Sequence, residues 1–248
     1  VVLGLSVASV LLPLVGTVFR NRPEDLGQRL DGDLPPAEDE EEAPAAADPA
    51  FTLGEAVRTR ALWTLLASGP YLGLVGTAML FHTQPILGSL GVEDPKAWAP
   101  YVQAPWPIAL TLTPLFSGWL ADNVDARWLV PSGLTLAALS CACLGAAGQG
   151  GLAPTTWFAL SMAVFGVAMG VMISAVGPTI ARYFGRAHHG AIRGLSLSIG
   201  VAATATGPFL LSEGAHLAGG RFDRVFVVFA CAAVPLALAG LTLRRPQR

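Results

Sequence analysis

His82 is the only side chain between residues 61 and 86 that titrates near neutral pH, and its neighbours are largely apolar ("LFHTQPILGSLGV", 80–92). An imidazole in that setting could carry a proton or donate a hydrogen bond to a polar solute. It could equally close the end of a helix, beside Gln84 and the helix-breaking Pro85. Tyr71 lies eleven positions earlier, on the same helical face and about 16 Å away at 1.5 Å per residue. Gln103 precedes Pro105 and Pro107, where a helix loses backbone donors and either turns free carbonyls towards a cavity or kinks. Thr111 and Ser174 add hydroxyls, as do Thr113, Ser196, Ser198, Thr204 and Thr206. Small hydroxyls in helices mostly bond back to their own backbone. These groups suit binding and proton passage.

Bond-breaking chemistry needs other arrangements, and the sequence lacks them. It has no paired carboxylates, no HExxH, no GxSxG and no nucleotide-binding loop. No catalytic residue, enzyme activity or cofactor is therefore expected. His188 and His189 have no third ligand at metal spacing, so no metal site is expected either. Cys141, Cys143 and Cys231 fall in apolar stretches and read as small packed side chains. A net charge of −2 and the absence of any recognisable module speak against a nucleic-acid partner.

The elements that hold these groups are apolar. Only 13% of the 248 residues are charged, against roughly a quarter in ordinary globular proteins. Runs 1–19, 61–92, 97–121, 128–181, 194–212 and 225–243 carry no Asp, Glu, Lys or Arg. A bilayer core takes about 20 apolar residues per helix, so five runs hold one span each. The run 128–181 holds two, broken at "GAAGQGGLAPTT" (145–156). Seven spans are predicted, in a lipid bilayer. Loops on one side carry twelve arginines, from Arg20 to Arg248; those on the other carry only Lys96, Arg221 and Arg224. The positive-inside rule makes the first side cytoplasmic, the C-terminus included. Trp98, Trp119, Trp128 and Trp157 fall near span ends, where an interfacial belt would place them.

Eleven of the seventeen acids lie between Glu24 and Glu55, in a stretch that includes "DLPPAEDEEEAPAAADPA" (33–50). Low-complexity Ala, Pro and acid cannot bury enough apolar surface to fold, so residues 21–55 are predicted to be a disordered cytoplasmic linker. Gly69, Gly73 and Gly76, with Gly166 and Gly170, form small-residue faces that let helices approach. Met162, Met169 and Met172 suit an adaptable lining or ordinary core filling.

One span, a long polar loop and six tightly connected spans resemble the second half of a major facilitator superfamily transporter, joined at the sixth of twelve helices. "FRNRPEDLG" (19–27), "EAVRTRALWTLL" (55–66) and "RYFGRAHHGAIRG" (182–194) resemble members near the oxalate/formate and monocarboxylate branches. So do "LFHTQPILGSLGV" (80–92) and "GPFLLSEGAHLAGGRFDRVF" (207–226). "SGWLADNVDAR" keeps Gly118, Leu120, Asp122 and Arg127 of the superfamily's glycine–aspartate–basic loop signature, but has Asn123 for a basic residue and Asp125 for a glycine.

The resemblance implies an all-α integral membrane fold, an MFS-type helical bundle with seven transmembrane helices. Residues 1–20 would be the last helix of the N-terminal half, 21–55 the linker and 56–248 a six-helix C-terminal bundle. It implies secondary transport of a small solute by alternating access, coupled to protons or a counter-substrate, in the inner (plasma) membrane. Residues 61–86 and 157–180 would line the cavity, with Tyr71, His82, Gln84, Gln103, Thr111 and Ser174 as substrate or coupling candidates. Gly118, Asp122 and Arg127 would form a cytoplasmic gate. The partner is the solute, with a missing N-terminal half completing the cavity. Carboxylate carriers of the related branches place a basic residue in the eighth helix, yet residues 101–120 have none and residues 194–211 are uncharged too. An anionic substrate would then take its countercharge from the missing half or from solvent-exposed ends. The rival class is a seven-span receptor. Against it stand the absence of a lysine in any span, needed for a retinal Schiff base, and the long acidic loop after the first helix.

Overall fold

Prolines and capping residues set where the helices begin and end. The computed structural model describes residues 50–246 together with Ser9, Leu11, Pro13 and Leu14. The chain divides into two units, 1–47 and 48–248. In the first, the four described residues are helical; the rest of the expected first span and most of the expected linker lie outside the described residues. The second unit is built from helices: α1 (Leu53–Ala56), α2 (Arg60–Phe81), α3 (Thr83–Ser89), α4 (Pro95–Gln103), α5 (Pro105–Asn123), α6 (Ala126–Ala146), α7 (Pro154–Phe184), α8 (His189–Leu217) and α9 (Phe222–Leu241).

The amide-less prolines Pro95, Pro105 and Pro154 occupy first-turn positions, where no intrahelical donor is needed. Thr52 and Glu55 cap α1 reciprocally, the Thr52 amide donating to the Glu55 carboxylate at 2.8 Å and the Glu55 amide to the Thr52 hydroxyl at 3.3 Å. Phe51 is buried, its amide donating to the Phe184 carbonyl at 3.1 Å. Residues Phe51–Glu55, expected at the end of the linker, thus pack with the bundle. Gly185 ends α7 at φ 81°, a left-handed conformation that favours glycine. The expected break near 145–156 is a turn through Gly150 and Gly151, at φ 95° and 92°.

Among the described residues, five helices (α2, α6, α7, α8 and α9) are long and apolar enough to cross a membrane. The bounds of two expected helices are corrected. The stretch 61–86 is not one helix, because Pro85 would drive its ring into the carbonyl of Phe81; α2 stops at Phe81 and α3 resumes at Thr83. The stretch 101–120 is divided at Ala104, because Pro105 and Pro107 leave the carbonyls of Tyr101 and Gln103 without amide donors. The 19-residue α5 that follows is not among the five.

Within the bundle α6 packs between α7 and α9, α5 lies on α7, and α8 lies on α2. Small residues make the close approaches, as expected for Gly73, Gly76, Gly166 and Gly170. A Cβ added at Gly170 would stand 2.5 Å from the Cβ of Thr113, and one at Gly76 2.9 Å from the Phe165 ring. Buried hydroxyls tie helices together where water is absent. Ser140 and Ser161 each donate to the other's carbonyl, at 3.0 and 2.9 Å, joining α6 to α7. Thr77 donates to the Thr204 carbonyl at 2.8 Å, joining α2 to α8. Large apolar side chains such as Phe116, Phe209 and Leu217 face outwards, the inverse of a soluble surface.

Candidate functional site

A cleft of about 310 Å³ lies between α2, α7 and α8. Glycine thins its walls: a Cβ added at Gly69, Gly177 or Gly200 would meet nothing within 4 Å. Met169, Met172 and Ile173 of α7 face Leu197 and Val201 of α8 across it. Met172 is buried while Ile173, Leu197 and Val201 are exposed, so the cleft opens along the outer face of α8. Both expected roles of the methionines are present, since Met162 is core and Met169 and Met172 line the cleft.

The α8 wall is one helical stripe, Arg193, Ser196, Leu197, Gly200, Val201 and Thr204, spaced at three- and four-residue intervals. Among the described residues, Arg193 is the only charged one in the lining. It is partly buried, and among the described residues it has no ion pair or hydrogen bond. Ser196, one turn on, likewise has a hydroxyl without a hydrogen bond among the described residues. A guanidinium always carries its charge and presents a fork of donors matched to a carboxylate. Partly buried and without a partner among the described residues, it is free to take an anion. The rest of the cleft, apart from the self-bonded Thr204, is apolar. The cleft thus offers a guanidinium and a hydroxyl at one end of a largely apolar surface.

Sequence reasoning placed Arg193 in a loop and left the stretch 194–211 uncharged. The helix begins five residues earlier, at His189, since nothing between Gly190 and Arg193 interrupts it. The available signal was the helical spacing of Arg193 with Ser196, Gly200 and Thr204.

The sequence-predicted candidates fall elsewhere. Tyr71 and His82 share a face, and that face is turned to α9. The Tyr71 hydroxyl donates to the Phe229 carbonyl at 2.7 Å. His82 caps the end of α2, its Nδ1 lying 3.3 Å from the Ala78 carbonyl and its ring 6.2 Å from that of Phe222. Gln103 joins the two helix breaks: its amide donates to the Thr83 hydroxyl at 2.6 Å and to the Leu80 carbonyl at 3.3 Å. With the exposed Gln84 and Lys96 it borders a separate pocket of about 470 Å³. Thr111 bonds back to the Pro107 carbonyl at 2.8 Å, and Thr113, Ser198, Thr204 and Thr206 do likewise within their own helices. Ser174 meets the Ser117 hydroxyl at 2.8 Å, pinning α7 to α5.

Of the three gate candidates, Gly118 and Asp122 lie in the last turns of α5 and Arg127 in the first turn of α6, each in different contacts. Asp122 accepts from the Arg182 guanidinium at 2.9 Å, and the same guanidinium donates to the Ala121 carbonyl at 3.0 Å. Arg127 pairs instead with Asp125 at 3.3 Å and lies 5.7 Å from the centre of the Trp128 ring. Gly118 leaves open space beside α5. Sequence reasoning did not single out Arg182, which ties the end of α7 to the end of α5.

Comparison with known proteins adds one finding. The family model described as Major Facilitator Superfamily matches residues 106–248, more than half of the chain, including α5 to α9. No curated protein matches the chain.

Proposed function

The chain belongs to the major facilitator superfamily, a family of multi-pass membrane proteins that move small solutes, and on that premise we propose that it carries small organic anions by alternating access. The observation that carries this reading is Arg193, a partly buried guanidinium without a partner among the described residues, at one end of an otherwise apolar cleft. The resemblance to the oxalate/formate and monocarboxylate branches points the same way. Of the five spanning helices, α8 is the least buried within the bundle. That supports a second bundle facing it, with the solute held between the two. The arginine-bearing ends are cytoplasmic by the positive-inside rule, in the inner membrane, and coupling is to protons or to a counter-substrate.

In this reading the Asp122–Arg182 pair belongs to the cytoplasmic gate. Both side chains are more than half exposed, so their bond adds at most about 1 kcal/mol to folding. Its role is to hold the ends of α5 and α7 in one arrangement. The test is exchange in proteoliposomes containing the full-length protein, preloaded with an unlabelled short-chain carboxylate and given the labelled acid outside. Wild type accumulates label transiently, and Asp122→Asn slows this several-fold while Asp125→Asn does not. Label entry that is indifferent to the internal acid contradicts alternating access of an organic anion; equal rates for the two variants contradict the gate.

A further inference from the structure

Another cavity, of about 630 Å³, lies where the chain leaves α9. Arg244 and Arg245 stand there beside Arg127, Arg182, Asp125 and Tyr183. The segment is fixed by Leu243, which is buried and whose amide donates to the Gly240 carbonyl at 3.1 Å. Four arginines thus face one carboxylate. That carboxylate is engaged by Arg127 at 3.3 Å, and Arg182 is engaged by Asp122 at 2.9 Å. Arg244 and Arg245 have no ion pair or hydrogen bond among the described residues. Among the described residues, the cavity holds uncompensated positive charge.

Its surroundings indicate the source of the anion. Trp128 and Trp119 are exposed at this end of the bundle, at 58% and 71%, and outward tryptophans mark the level of lipid headgroups. Val234, Leu238 and Leu241 form an exposed apolar stripe along α9 that runs up to Arg244. A free phosphate has no use for such a stripe, whereas acyl chains do. We propose that this cavity binds the phosphodiester headgroup of an anionic phospholipid, with Arg244 and Arg245 on the phosphate and the acyl chains along the α9 stripe. The twelve-to-three bias in basic residues puts it in the cytoplasmic leaflet, where anionic lipids attract basic clusters.

The test uses full-length protein, purified and transferred to nanodiscs of phosphatidylcholine with or without phosphatidylglycerol, with bound lipid read by native mass spectrometry. Wild type retains phosphatidylglycerol in preference to phosphatidylcholine. Each arginine near such a headgroup contributes about fivefold, so Arg244→Gln with Arg245→Gln lowers retention by about thirtyfold. The double lysine variant retains most of it, and Arg221→Gln at the opposite end has no effect. Unchanged melting and elution of the glutamine variant separate this loss from misfolding. Equal retention of the two lipids by wild type, or of phosphatidylglycerol by wild type and the glutamine variant, overturns the proposal. Displacement of the lipid by an equal concentration of inorganic phosphate also overturns it, in favour of a free-phosphate site.

Discussion

Replacing Arg193 with glutamine raises the KM for an organic anion by about ten- to a hundredfold, the range spanned by hydrogen bonds to charged groups of about 1.5–3 kcal/mol. Glutamine retains hydrogen-bonding capacity but loses the charge, so the loss reports the ion pair and not the volume of the side chain. Lysine keeps the charge without the planar fork and falls between the two. Because Arg193 has no partner among the described residues, its removal leaves no buried group stranded, and the folded protein should tolerate it. Initial-rate uptake in proteoliposomes, normalised to the amount of protein inserted, measures the effect. A structural role would instead reduce the inserted amount and leave the KM of the remainder unchanged.

The other large effect belongs to Gly207. A Cβ added there would meet the Leu74 carbonyl and stand 2.7 Å from the Thr77 hydroxyl. A backbone carbonyl cannot swing aside as a side chain can, so α8 must move away from α2. That movement also stretches the bond from Thr77 to the Thr204 carbonyl. Overpacking of this kind costs about 1–3 kcal/mol, which corresponds to a fall in Tm of roughly 2–12 °C for a chain of this size. Gly207→Val should show that fall by thermal unfolding in detergent. Gly69→Ala is the matched control, since its Cβ meets nothing within 4 Å. It leaves Tm unchanged and narrows the cleft. Equal melting of the two variants would mean that the α2–α8 contact does not hold the bundle together.

These two residues also mark what could be read before the structure. Most spans were visible because a bilayer excludes charge, so the uncharged runs outline α2, α6, α7, α8 and α9. Their ends were less legible. Proline acts on the carbonyl four residues back, so Pro85 ends α2 at Phe81, inside a run that hydropathy treats as uniform. The face shared by Tyr71 and His82 was correct, but period alone cannot say which helix that face meets, and it meets α9. Arg193 was missed for a related reason. Counting arginines to orient a chain treats each one as a loop marker, and Arg193 sits just inside the helix that the count had started after it. The packing glycines were legible as a small-residue pattern, yet only the geometry separates Gly69, which opens a cleft, from Gly76 and Gly170, which close a contact.

Recognition of a negative charge by the α2–α7–α8 cleft would rest on Arg193. It is tested most directly by comparing uptake of a short-chain carboxylate with uptake of its neutral amide, in proteoliposomes containing wild-type or Arg193→Gln protein. Wild type is expected to prefer the acid by about ten- to a hundredfold, and the variant to lose this preference while keeping its uptake of the amide. A preference for the acid that survives in the variant, or a wild type that takes up both equally, would contradict it.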